Sequence, residues 1–299
     1  MAVHQESPVD QEFDHIRYEQ PAPRVARILL DRPERANAQS TKLLHELNAA
    51  YDRAARDDGI HVIILAANGR HFSSGHDLNE IGDGRAVSNL LELGPIGTFC
   101  GFGCAGAEGW MAYEREVYLG LAERWRNIPK PTIAQVHGKV ITGGLMLVWP
   151  CDLIIASEDA TFQDTAVDLG VCGVEFFNHP YELGVRKAKE FLFRANAMTA
   201  AEALSAGMVN HVVPRDDLDR FTLDMACEIA RKPLFALKLA KEAVNAAQDA
   251  AGRSTVMQSA FGHHQLTHAH NMMVHGMLMD PTNLAPAGSK DMPKPDQSR

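Results

Sequence analysis

No apolar run in the chain approaches the roughly 20 residues that a membrane-spanning helix needs, and its opening, MAVHQESPVDQEFDH, lacks the basic and apolar regions of a secretory signal. Both absences predict a cytosolic protein. Cysteine is scarce and odd in number. Cys100, Cys104, Cys151, Cys172 and Cys227 follow no disulfide or zinc pattern beyond the first pair, which fits a reduced compartment. No second Cys or His pair follows Cys100 and Cys104 at zinc-site spacing, so no metal is expected there. Positive charge is also short: 29 Lys and Arg stand against 38 Asp and Glu, a formal net charge of −9. Binding a nucleic-acid backbone takes a basic surface, so a nucleic-acid partner is not expected, whereas a phosphorylated ligand held by a few local cations is compatible with this balance. Charge-rich and repetitive blocks are missing too, and 45% apolar content over 299 residues suffices for a large core in one large or two moderate domains.

What the chain does contain is a succession of apolar, β-like runs separated by helical patterns. Residues 25–30 read as a strand, 31–38 as a turn and 40–56 as a helix with the stripe Leu43, Leu44, Leu47, Tyr51 and Ala54. The run at 61–66 is continuously apolar in its middle, which predicts a strand covered on both faces. Residues 82–109 carry eight glycines and little regular pattern beyond Leu90-Leu91-Glu92-Leu93, the signature of a long loop that is either a functional lid or disordered. A helix is expected at 113–126, stopped by Pro129-Lys130-Pro131; strands follow at 132–136, 152–156 and 161–162, and helices at 186–194 and 200–206. Beyond 218 only helical patterns occur, and Asp280-Pro281 opens a Pro-rich tail expected to be disordered. Strands separated by helices imply parallel βα units. The expected division is a tail or outer strand at 1–23, a core at 24–215, a helical region at 216–280 and the tail at 281–299.

Two glycine-bearing stretches carry the chemistry: Phe72-Ser73-Ser74-Gly75-His76-Asp77-Leu78 and Val136-His137-Gly138-Lys139-Val140-Ile141-Thr142-Gly143-Gly144-Leu145-Met146. Each places Gly after a β-like run, where bare backbone can approach a ligand and aim N–H groups at it. One N–H from each would form an oxyanion hole for a carbonyl. At these stretches the chain resembles the enoyl-CoA hydratase/isomerase (crotonase) family. Matching pieces elsewhere are Asp31-Arg32-Pro33 with Ala36-Asn37-Ala38, Pro129-Lys130-Pro131, Cys151-Asp152-Leu153-Ile154-Ile155-Ala156, and Ala201-Glu202-Ala203 with Gly207-Met208-Val209. The resemblance covers residues 25–213 well and the C-terminal helices weakly. It implies an α/β fold, a crotonase-like spiral of ββα units with a C-terminal helical trimerisation region. It further implies a homotrimer or hexamer acting on an acyl-CoA, with coenzyme A arriving as part of the thioester and no permanently bound cofactor, membrane or nucleic acid.

Carried over residue by residue, the resemblance makes the N–H groups of His76 and Gly143 the oxyanion donors. It assigns CoA to the turn at Arg35, Ala36 and Ala38 and to the backbone of His76, Asp77 and Leu78, with Arg35 the group for phosphate. A His beside a reacting carbonyl can also move protons, and Asp77 is suited to cap the turn after it. One departure matters. The family's hydratases use two Glu residues to activate water and deliver a proton, and those positions hold Met146 and Ala166 here. Hydration by that pair is not expected. The resemblance implies alternative acids a few positions further along the same wall, where the candidates are Asp164, Asp168 and Glu175; Glu175, after Gly173-Val174, ranks first as the catalytic acid with Asp168 second. The chemistry left open includes isomerisation, hydrolysis or decarboxylation of a bulky acyl-CoA, and also silent acyl-CoA binding. Near the end, His264, His268 and His275 share a helical face, with His263 and His270 close by. Without a carboxylate beside them in sequence, a packed trimer contact is expected there and no metal.

Overall fold

Every residue of the strand Val62–Ala67 is buried, and its alternate side chains serve two different cores. Ile63 and Leu65 join the larger hydrophobic cluster, Val62, Ile64 and Ala66 the smaller one, as period-2 alternation in a doubly covered strand requires. The computed structural model, which describes residues 13–283, has nine strands among those residues: β1 (Ile16–Ala22), β2 (Val25–Leu30), β3 (Val62–Ala67), β4 (Thr132–Val136), β5 (Lys139–Ile141), β6 (Leu153–Ser157), β7 (Thr161–Gln163), β8 (Met198–Thr199) and β9 (His211–Val213). They form a six-stranded sheet, β1-β2-β3-β4-β6-β9, and a three-stranded one, β5-β7-β8. The large sheet is parallel apart from the outer pair β1 and β2. Of the two expectations for residues 1–23, an outer strand is the one seen over Ile16–Ala22.

The α-helices are α1 (Thr41–Arg56), α2 (Leu78–Gly82), α3 (Ala86–Leu93), α4 (Ala107–Glu114), α5 (Leu121–Arg126), α6 (Leu145–Val148), α7 (His179–Arg194), α8 (Ala200–Ala206), α9 (Leu218–Ala230), α10 (Leu234–Ala250) and α11 (Arg253–His275). Ser40 caps α1 by accepting from the Leu43 N–H, and the stripe from Leu43 to Ala54 is buried in the larger core. On the opposite face of the sheet, Leu218, Ala226 and Ala230 of α9 close the smaller core over Val62, Ile64 and Ile133. No helix among the described residues is long and apolar enough to cross a membrane.

Three expectations need correction. Residues 82–109 are not one open loop, because α3 and the start of α4 lie within them; glycine punctuation hides helices this short. The remaining segment is tied down where the N–H groups of Ile96 and Gly97 donate to Glu116 Oε1 at 2.6 and 2.7 Å. Glu116 belongs to the π-helical stretch Arg115–Gly120 that joins α4 to α5, a local irregularity often found at functional sites. Second, α7 begins at His179, seven residues before the expected start, with a break at Gly184 where φ is 70°. Third, Pro281–Asn283 forms a 3-10 turn; the rest of the expected tail, 284–299, lies outside the described residues.

Candidate active site

Three loops converge at the ends of the parallel strands. Asn37 clamps the first two: its Nδ2 donates to the carbonyls of Asn68, His71 and Phe72 at 2.9 to 3.1 Å, its Oδ1 accepts from Arg32 N, and its own carbonyl accepts from Ser73 Oγ. Gln39 ties the first loop to both others, its N–H donating to Gly75 O of the second and its Nε2 to Gly143 O of the third at 2.6 Å. Between the second and third, Ser73 N–H donates to Lys139 O and Ile141 N–H donates to Ser73 O. Ala36, Asn37 and Thr142 all sit at positive φ, between 44° and 52°. Such strain persists only where surrounding bonds over-determine the backbone, and it concentrates at functional sites.

Glycine is required at this junction for space. A Cβ on Gly143 would lie 3.1 Å from His76 N and 2.7 Å from the His76 ring, and one on Gly75 would lie 2.8 Å from Ile141 O. The N–H groups of His76 and Gly143 are therefore neighbours. Neither is consumed locally: the bridge between residues 39 and 76 uses the N–H groups of Gln39 and Asp77, and Gly143 is the second residue of the 3-10 turn Thr142–Gly144, whose first N–H groups have no partner within it.

Beside them is a mostly apolar cavity of about 230 Å³. Its walls include Ile81, Trp110, Ile141, Ala166, Leu169, Val171 and Val174, and its polar groups include His76, Glu114, Glu175, His264 and His268. The His76 ring stacks on Tyr118 at 3.8 Å, and its Nε2 lies 3.2 Å from both oxygens of Glu175, which is 2% exposed. Burial pushes the Tyr118 phenol well above its ordinary range, so it is a neutral platform. From Glu175 the polar chain continues inward: His264 Nε2 is 3.6 Å from Glu175 and 3.3 Å from Glu114, and His268 Nε2 is 3.2 Å from Glu114. Burial opposes charge on His264, but the Glu114 and Glu175 carboxylates outweigh it and its imidazole is pushed up to about 9. Burial likewise opposes charge on Glu114, which His264 and His268 overcome, holding its carboxyl far below the usual range.

Of the residues singled out in the sequence, the structure brings His76, Leu78, Ala166 and Glu175 to the cavity, and Gly143 to its edge against His76. Asp168 falls away. Its side chain is exposed in the 3-10 turn Val167–Leu169, outside the cavity lining, because that turn directs only Leu169 inward. Asp164 is fully buried but committed, accepting from Ala166 N and Val174 N and lying 2.9 Å from His179 Nε2. Met146 packs in the core behind Gly143 and Gly144. Asp77 caps α2 as expected and also meets Arg32 at 3.1 Å. Arg35, Asp77, Arg32, Lys42 and Arg85 line a separate polar hollow of about 350 Å³. Cys100 and Cys104 are exposed free thiols.

Glu114 escaped the sequence reading, and with it the premise that the C-terminal histidines lack a carboxylate. A signal existed: Glu114 stands three residues before Val117 and seven before Leu121 on the helix's apolar stripe, where a buried acid demands a partner. His275 does not join this group; it faces Asp280 at 3.8 Å.

A family model described as enoyl-CoA hydratase/isomerase matches residues 21–91 and 104–280. The chain belongs to this family. As a member of the enoyl-CoA hydratase/isomerase family it has the crotonase fold, and the unmatched residues 92–103 fall in the glycine-rich segment held by Glu116. A Mycobacterium tuberculosis protein named "Putative enoyl-CoA hydratase EchA13" is 46% identical over 261 residues, 87% of this chain and 82% of that protein. The crystal structure of a "probable enoyl-COA hydratase" from Mycobacterium thermoresistibile is 48% identical, with a TM-score of 0.80 over 89% of this chain and 99% of its own. That of a monofunctional enoyl-CoA isomerase from Mycobacterium smegmatis is 26% identical, with a TM-score of 0.60 over 79% and 94%.

Proposed function

We propose that this family member shifts the double bond of an enoyl-CoA, with Glu175 as the proton-transfer group. The observation that carries the reading is the Glu175 carboxylate, paired with His76 in the same cavity as the two glycine loops, where Ala166 occupies the wall. Isomerisation needs one acid/base group where hydration by the family's usual route needs two. Glu175 takes a proton from C2 of a 3-enoyl thioester, leaving a dienolate. Its oxygen accepts from the His76 and Gly143 N–H groups, and the carboxyl returns the proton to C4. The largely apolar walls exclude the water that would divert the dienolate. A second reading, hydration, has one observation in its favour: Glu114 also lines the cavity, so two carboxylates are available after all. Assaying 3-enoyl-CoA isomerisation against crotonyl-CoA hydration separates them, and hydration as the faster reaction would displace the first.

The thioester's phosphates belong in the hollow lined by Arg32, Arg35, Lys42 and Arg85, with the adenine along the backbone of His76, Asp77 and Leu78. Arg35 is exposed at the tip of the turn Pro33–Arg35, free to reach a phosphate. In calorimetry with octanoyl-CoA, Arg35→Ala is expected to weaken binding about tenfold, the worth of one charge-assisted contact. No heat with octanoyl-CoA or free CoA on the wild type would sink the assignment.

The proposed assembly is a homotrimer or hexamer in a reduced, cytosolic setting, consistent with five free thiols. Helix α10 buries none of its residues and exposes Phe235 and Val244 at 73% and 70%, apolar area that favours a protein partner. Light scattering should return three or six copies of the 32.8 kDa chain; a monomer at micromolar concentration would refute it.

A further inference from the structure

The inner end of the cavity is built like a metal site. We propose that Glu114, His264 and His268 bind a divalent transition ion of the zinc class. Their ligand atoms lie within 4.8 Å of one another and all three residues are buried. His264 Nε2 is 3.3 Å and His268 Nε2 3.2 Å from the Glu114 oxygens. A charge-assisted N–H to carboxylate bond is shorter, about 2.7 to 2.9 Å. Ligands held about 2.0 to 2.1 Å from a tetrahedral ion stand roughly 3.3 Å apart; each histidine nitrogen is at that distance from one Glu114 oxygen, His264 from Oε2 and His268 from Oε1. Among the described residues, His264 Nε2 makes no hydrogen bond although the residue is only 4% exposed; it is buried and aimed between the Glu114 and Glu175 carboxylates, 3.3 and 3.6 Å away.

The outer contacts fit the same reading. His264 Nδ1 lies 2.7 Å from Gly173 O, and His268 Nδ1 2.7 Å from Leu278 O. A carbonyl can only accept, so each Nδ1 carries the proton and each Nε2 is turned toward Glu114. Metal-binding histidines are oriented in this way by their second nitrogen, and ligating carboxylates are themselves hydrogen-bonded, as Glu114 is by Gln265 Nε2. The two histidines are four residues apart on α11, one turn and one face. Two imidazoles and one carboxylate suit zinc, cobalt or ferrous iron over magnesium or calcium, which prefer oxygen. Three protein ligands leave a position for water, and all three residues line the cavity. The inference stands apart from the isomerase reading, since its test needs no substrate.

The experiment is calorimetric titration of untagged, chelator-treated protein with Zn²⁺ and with Co²⁺, followed by metal analysis after gel filtration. The expected result is one ion per chain, a Co²⁺ visible spectrum of tetrahedral intensity, and a thermal midpoint that rises with Zn²⁺ concentration. Glu114→Gln and His268→Ala should each abolish the stoichiometric site. His270→Ala, which alters an exposed histidine on the same helix, should keep it. Should either cluster variant fail to fold, the wild-type Co²⁺ spectrum still decides. No saturable binding to the wild type, an octahedral spectrum, or binding that survives Glu114→Gln and vanishes in His270→Ala would overturn the proposal.

Discussion

Glu175→Gln is expected to lower 3-enoyl-CoA isomerisation by roughly 10²- to 10⁴-fold, the usual contribution of one positioned acid/base group, while leaving thioester affinity nearly unchanged. The substitution keeps the shape of a side chain that is 2% exposed and keeps an oxygen that can accept from His76 Nε2, 3.2 Å away. What it removes is the capacity to take a proton. A merely structural Glu175 would show itself in a lowered thermal midpoint with kcat preserved, so kcat, KM and unfolding are measured together. The same variant probes the hydratase alternative. If the wild type hydrates crotonyl-CoA rapidly and Glu175→Gln does so equally fast, the acid has been misplaced and Glu114 becomes the group to examine.

The parts legible in the sequence were those written in local patterns. The stripe of α1 and the continuously apolar β3 each carry their meaning within about a dozen residues and were found where expected, and the two glycine loops pack against each other at Gly75, His76 and Gly143. Glu175 could be ranked because it follows a glycine loop, although its partner could not be named, since His76 stands 99 residues away. Glu114 and His264 are 150 residues apart in the chain and meet only after α11 folds back over α4. Period and spacing cannot report such pairings. Asp168 illustrates the opposite error: proximity in sequence to the cavity wall suggested function, but one 3-10 turn rotates it into solvent. The glycine-rich stretch misled for a third reason, because its order comes from the Glu116 carboxylate binding two loop N–H groups, a tertiary contact that composition does not encode.

Gly143→Ala should cost catalysis more than one lost donor explains. The backbone of Gly143 is not in the positive-φ region, so alanine meets no torsional penalty and the effect is purely one of space. The added Cβ would stand 2.7 Å from Cε1 and Nδ1 of His76 and 3.1 Å from its N. The ring cannot retreat easily, being stacked on Tyr118 at 3.8 Å and bonded to Glu175. One methyl group therefore pushes on both N–H donors and on the acid/base pair at once. Losing a single oxyanion donor lowers kcat by roughly 10²- to 10³-fold, and displacement of His76 adds to that, while overpacking at such a site costs about 1 to 3 kcal/mol of stability. Gly262→Ala is the control: it lies within α11 with nothing within 4 Å of its would-be Cβ, and is expected to leave turnover intact. Retention of wild-type kcat by a folded Gly143→Ala would mean that the carbonyl is not held between residues 76 and 143.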